Sequence, residues 1–149
     1  MAGAFPIGSC AVVDSGWRKP PRRANRSPML RQATTRIAIR SGGPGLHDFT
    51  PQAREFVANS GISDGLLTLF CRHTSASLLI QENAAPAARR DLERYFARLA
   101  PESANYEHAD EGPDDMPAHL RTALTQTQLS IPVEGGALLL GTWQRIYLF

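Results

Sequence analysis

Apolar residues first fall into a regular pattern at "TTRIAIR", where Ile37 and Ile39 alternate with polar neighbours. That period of two is the pattern of a half-buried strand. "GGPGLHDFT" follows as a turn-rich connection. Thr50 and Pro51 then supply a helix cap and a first-turn proline, and Gly61 supplies a stop, so a short helix is expected over residues 51–60. "GLLTLFCRH" is an almost unbroken apolar run of strand length, the pattern of a strand covered on both faces, and "SASLLIQ" reads as the next strand.

The period then changes. In "PAARRDLERYFARLA", Ala88, Leu92, Tyr95, Phe96 and Leu99 recur at spacings of three and four after Pro86, which predicts an amphipathic helix ended by Pro101. "DDMPAHLRTALT" repeats the start signal, with Pro117 at the first helical position and Leu120, Ala123 and Leu124 facing inward. "LSIPV", the turn "EGG", "ALLLG" and "TWQRIYLF" close the chain as a hairpin and a further strand. Strands at both ends with helices between them define an α+β domain.

Length and charge refine this. A chain of 149 residues fits one domain with a core of its own. No apolar run reaches the roughly 18 residues of a membrane span, and no secretory leader is visible, so a soluble cytoplasmic protein is expected. Cys10 and Cys71 lack CxxC spacing, which points to neither a disulfide framework nor a thiolate zinc site. Residues 1–40 hold eight basic side chains and one acidic; the other 109 hold eight and thirteen. The net charge of +2 therefore hides a basic end and an acidic body. "SGWRKPPRRANRSP" offers little to bury and reads as a disordered extension over 1–28, ahead of a domain over 29–149. It is given no role, and no nucleic-acid or membrane partner is expected.

Candidate chemistry concentrates in "NYEHADEGPDDMPAHLR", where five carboxylates and two histidines share seventeen residues. His73 ends an apolar strand and is followed by the hydroxyls of Thr74, Ser75 and Ser77. His108 lies among the acids Glu107, Asp110, Glu111, Asp114 and Asp115. His119 follows Asp115 by four residues, close enough on one helical turn for the carboxylate to orient its ring. Three neutral imidazoles can hold a divalent metal and leave a position open. Their wide spacing matches no compact metal motif, and a solvated acidic loop is the alternative. His47, in a glycine-rich turn, is held in reserve.

The stretches "RHTSASLLIQENAAPAARRDLERYF" and "NYEHADEGPDDMPAHLRTALTQTQLSIPVEGGALLLGTWQRIYLF" resemble the YjbQ family, small proteins also described as secondary thiamine-phosphate synthases. Family elements fall on His73–Ala76, Glu82–Pro86, Asn105–His119 and Gly141–Arg145. The resemblance implies a mixed or antiparallel sandwich-like sheet with about three helices, and a homotrimer. It also implies a divalent metal, zinc or magnesium, at His73, His108 and His119. Under it, Thr74, Ser75, Ser77 and Arg89 or Arg72 would bind a phosphorylated substrate, with His73, Glu111 and Asp114 catalytic. Three functions follow: thiamine-phosphate synthesis, metal-dependent hydrolysis of phosphorylated small molecules, or a non-catalytic metal- or anion-binding oligomer. The chain departs from the family pattern at Arg145, where a glycine is expected, and at Phe149, after which a last strand is expected.

Overall fold

The computed structural model describes residues 29–149, and Arg31–Phe149 forms one compact unit. The basic extension expected over 1–28 lies outside the described residues, as does Cys10. Along the chain run β1 (His47–Asp48), α1 (Thr50–Ser60), β2 (Gly65–Phe70), β3 (Leu78–Glu82) and α2 (Pro86–Leu99). They are followed by α3 (Asp115–Leu124), β4 (Gln128–Glu134), β5 (Ala137–Leu138) and β6 (Gln144–Leu148). The fold is α+β, with three helices and two antiparallel three-stranded sheets ordered β1-β6-β3 and β2-β4-β5. No helix among the described residues is long and apolar enough to cross a membrane.

Each sheet follows from its side-chain alternation. On β4, Leu129, Ile131 and Val133 are buried while Gln128, Ser130, Pro132 and Glu134 face outward, the period of two carried through seven residues. The β4–β5 hairpin turns on Gly135 and Gly136, at φ 57° and 78°; two positive φ values in succession are the geometry that glycine supplies without steric cost. In α1, Phe49, Ala53 and Val57 recur at spacing four and pack on Leu67, Ile131 and Ile146 as one core.

Several expectations change in three dimensions. Thr50 does not cap α1: it is the first helical residue, its own N–H is received by Asp48 Oδ1 at 2.9 Å, and its hydroxyl accepts the Ile146 N–H at 2.7 Å. The hydroxyl joins α1 to β6 instead of closing its own helix. Gly61 stops α1 as expected, at φ 64°. Residues 35–40 keep their alternation, with Ile37 and Ile39 partly buried against the core, yet form no strand. Strand β2 is covered on one face only: Leu67 is buried, whereas Leu66 and Phe70 are 62% and 65% exposed. Helix α2 buries only Phe96, and α3 starts two residues before Pro117 and leaves Ala123 and Leu124 outside. The apolar stripes of both helices are wider than the surface that the described residues offer to cover them.

One connection positions the functional residues. Where β2 ends, the Cys71 N–H bonds the Thr127 carbonyl at 2.8 Å; Ser77 and Phe149 then exchange two backbone hydrogen bonds of 2.9 Å. The His73–Ala76 turn is thus clamped at both ends, and its backbone cannot drift from the helix lying beside it.

Candidate functional site

Helix α3 meets the His73–Ala76 turn along one face. The Ser75 hydroxyl donates to Asp115 Oδ1 at 3.2 Å, the His119 ring meets the Thr74 carbonyl through Nδ1 at 3.1 Å, and Thr125 Oγ1 donates to Ser77 Oγ at 2.7 Å. Asp115 and His119, four residues apart, lie on neighbouring turns of α3, and Thr125 is the residue that ends the helix. At the other side, Arg121 donates to the Ala100 carbonyl at 3.1 Å, holding α3 to the C-terminal end of α2, where a cation is favoured.

At the start of α3, three donors converge. Nε2 of His108 lies 2.9 Å and Nε2 of His119 lies 3.3 Å from the same carboxylate oxygen, Asp115 Oδ2. The ligand atoms of all three residues lie within 4.8 Å of one another. Oδ2 is shielded from solvent, and despite these short distances it receives no well-aimed hydrogen bond among the described residues. The tautomer of His119 accounts for its share of this. Thr74 contributes a carbonyl that can only accept, so Nδ1 carries the hydrogen and Nε2 of the neutral ring carries a lone pair. A lone pair and a carboxylate oxygen 3.3 Å apart repel one another unless a proton or a cation lies between them. Bonds of about 2.0–2.1 Å at tetrahedral angles place ligand atoms roughly 3.3 Å apart, the separation of His119 Nε2 from Asp115 Oδ2. Two imidazoles and one carboxylate fit such an ion, and the fixed Nδ1–H of His119 is the usual outer partner of a ligating histidine.

Beside the trio lies a cavity of about 380 Å³, lined by His47, His73, Ser75, Glu111, Asp114, Asp115 and Arg121 and by the glycine-rich connection 41–45. His47 is turned into its own loop, where Nε2 donates to the Gly43 carbonyl at 2.9 Å. His73, Ser75, Glu111 and Asp114 thus share one cavity with Asp115, while His108 and His119 stand against the same carboxylate. Other candidates lie elsewhere. Ser77 is fully buried and bonded to Thr125, so its hydroxyl serves the core. Arg89 lines a separate cavity of about 330 Å³ with Glu82 and Tyr95, and stands 3.8 Å from Glu93. Arg72 is exposed and lines neither cavity. His73 is not among the converging donors; that place is taken by Asp115. The signal for Asp115 was the Asp-x-x-x-His spacing, which puts both side chains on one helical face.

The fold and this site define a class: a small α+β protein whose histidine- and acid-rich loop borders an open cavity at the start of a helix. A family model, "UPF0047 protein YjbQ-like", matches residues 35–149, and the chain belongs to that family. It is 49% identical over 121 residues to a UPF0047 protein of Synechocystis sp., covering 80% of this chain and 82% of the relative. It is 41% identical over 121 residues to the UPF0047 protein YjbQ of Escherichia coli O157:H7, covering 80% and 86%. Among solved structures, a YjbQ/UPF0047 protein of Clostridium acetobutylicum superposes with a TM-score of 0.64 at 36% identity, over 69% of this chain and 78% of that one.

Proposed function

We propose that this chain is a metal-assisted enzyme of small phosphorylated substrates, and that its reaction is the synthesis of thiamine phosphate from a pyrimidine diphosphate and a thiazole phosphate. The convergence of His108, Asp115 and His119 beside an open cavity carries this reading. Three protein donors leave coordination positions free, the arrangement of a catalytic site, whereas a structural site closes its shell. Nitrogen donors favour zinc or a similar transition ion over magnesium, which prefers oxygen. When bound, such an ion neutralises charge on a departing diphosphate.

The chain's own residues supply the rest. The Ser75 hydroxyl and the Thr74 carbonyl fix the carboxylate and the ring of α3 before any substrate arrives, which removes reorganisation from the reaction. Glu111 and Asp114 line the cavity and are the groups available to accept a proton. In the reaction, the bond from carbon to the diphosphate oxygen breaks as the thiazole nitrogen bonds to that carbon, and diphosphate leaves. The expected assembly is a homotrimer, a reading supported by the exposed Leu66 and Phe70 on β2.

Incubation of the two substrates with zinc-loaded protein should yield thiamine phosphate, and a chelator or Asp115→Asn should stop it. Release of phosphate from simple esters without the thiazole partner would replace the synthase with a hydrolase. Metal binding without either reaction would leave a binding protein.

A further inference from the structure

The trio leaves His73 with a nitrogen of a different kind. Its Nδ1 accepts the Ser75 N–H at 3.0 Å. A ring nitrogen that accepts a hydrogen bond holds its lone pair there, so the neutral ring carries its hydrogen on Nε2. His119, bonded to the carbonyl of the next residue, Thr74, has the opposite arrangement: hydrogen on Nδ1, lone pair on Nε2. One turn therefore sets two histidines in complementary tautomers. A metal ligand needs the lone pair, and the free nitrogen of His73 offers a hydrogen instead.

Ser75 couples the two roles. Its amide fixes His73, and its hydroxyl donates to Asp115 Oδ1 at 3.2 Å. His73 lines the cavity that Asp115 also lines, with Glu111 and Asp114 in the same wall. These three carboxylates outnumber the one arginine of the lining, Arg121, so an anionic ligand is held weakly there until a further cation offsets them. An N–H donor beside such a cation receives a second oxygen of the same group.

We propose that His73 is an anion-binding hydrogen-bond donor and not a metal ligand: its Nε2–H receives an oxygen of a tetrahedral oxyanion whose other oxygens face an ion held by His108, Asp115 and His119. The anion half rests on the metal reading above; the tautomer half stands without it.

Nitrogen-15 resonances of histidine in the full chain test both. Before metal is added, His73 should appear as the Nε2–H tautomer and His119 as the Nδ1–H tautomer. Added cadmium-113 should show scalar coupling to Nε2 of His108 and His119 and none to His73. Inorganic phosphate should then shift the His73 Nε2–H resonance in the cadmium-loaded protein and leave the metal-free protein unchanged. His73→Ala should weaken phosphate binding about tenfold at unchanged cadmium affinity, the size of one good hydrogen bond to a charged group. His73→Gln, which retains an N–H donor, should recover part of it and guards against a folding defect in the alanine variant.

Coupling of cadmium to a His73 nitrogen, or an Nδ1–H tautomer at His73, overturns the proposal. So does phosphate affinity unaltered by His73→Ala. Absence of cadmium coupling at every histidine overturns the metal reading and the anion half with it, while the tautomers recorded beforehand still decide the first half.

Discussion

Asp115 is the residue on which the site turns, because each of its two oxygens has a separate task. Oδ1 receives the Ser75 hydroxyl and Oδ2 faces two imidazole nitrogens. Removing the Ser75 hydroxyl should cost zinc about tenfold in affinity by freeing the carboxylate, whereas His119→Ala removes a ligand and should abolish most binding; isothermal calorimetry separates the two. The residue types were legible in the sequence, and so was the pairing of Asp115 with His119. Which nitrogen of each ring is free was not, since that depends on Thr74 and Ser75 backbone groups placed by the chain's path between two sheets. Tyr147 offers a contrasting test. Its hydroxyl is buried without a partner among the described residues, and burial, helped by the nearby Asp48 carboxylate, pushes its pKa up. A phenol with a raised folded pKa holds its proton while the unfolded chain releases one, so stability is fully present below about pH 10 and is lost as pH rises through the folded value. Tyr147→Phe should keep or raise the melting temperature at neutral pH, because a buried unpaired hydroxyl costs roughly 1–3 kcal/mol, and should flatten the alkaline decline. A lower melting temperature at pH 7 would mean that the hydroxyl has a partner.

The elements themselves followed from periodicity and punctuation wherever the signal was local. Gly61 ends α1, Pro86 opens α2, and Gly135–Gly136 turns the last hairpin. Long-range signals behaved differently. Thr50 has the residue type of a cap, yet its hydroxyl is used 96 residues away by Ile146, a partner that no local pattern encodes. Ile37 and Ile39 alternate like a strand and pack on the core like one, but a ladder needs a neighbouring edge, and alternation alone does not supply it. The local signals can be tested directly. At Gly61, φ is 64° and an added Cβ meets only an Arg31 side-chain atom at 3.6 Å, so crowding is ordinary and backbone strain is the main cost. Gly61→Ala should therefore destabilise by about 1 kcal/mol, a few degrees in melting temperature, with the β sheets and metal affinity unchanged. A loss several times larger would place Gly61 in a packing role.

At the scale of the molecule, the pattern of exposed apolar residues is the part a single chain does not explain. Leu66 and Phe70 stand on the outer face of β2, paired in register with Pro132 and Gln128 of β4, and Leu139 is exposed just beyond β5. Tyr95 and Leu99 form a half-exposed stripe on α2. The apolar run of β2 predicted cover on both faces, and the described residues supply it on one. A helical stripe and a sheet face are different surfaces, and contact between unlike surfaces of identical chains gives a three-membered ring when each copy is rotated by a third of a turn from the last, the arrangement of the proposed trimer. Light scattering should therefore give a mass near three times the 16.3 kDa chain. Phe70→Glu, which sets a carboxylate on the outer face without touching the side of β2 that carries the buried Leu67 and the half-buried Leu69, should shift that mass toward the monomer and leave circular dichroism unchanged. A wild-type monomer at micromolar concentration would remove the trimer, and a trimer indifferent to Phe70→Glu would move its interface away from β2.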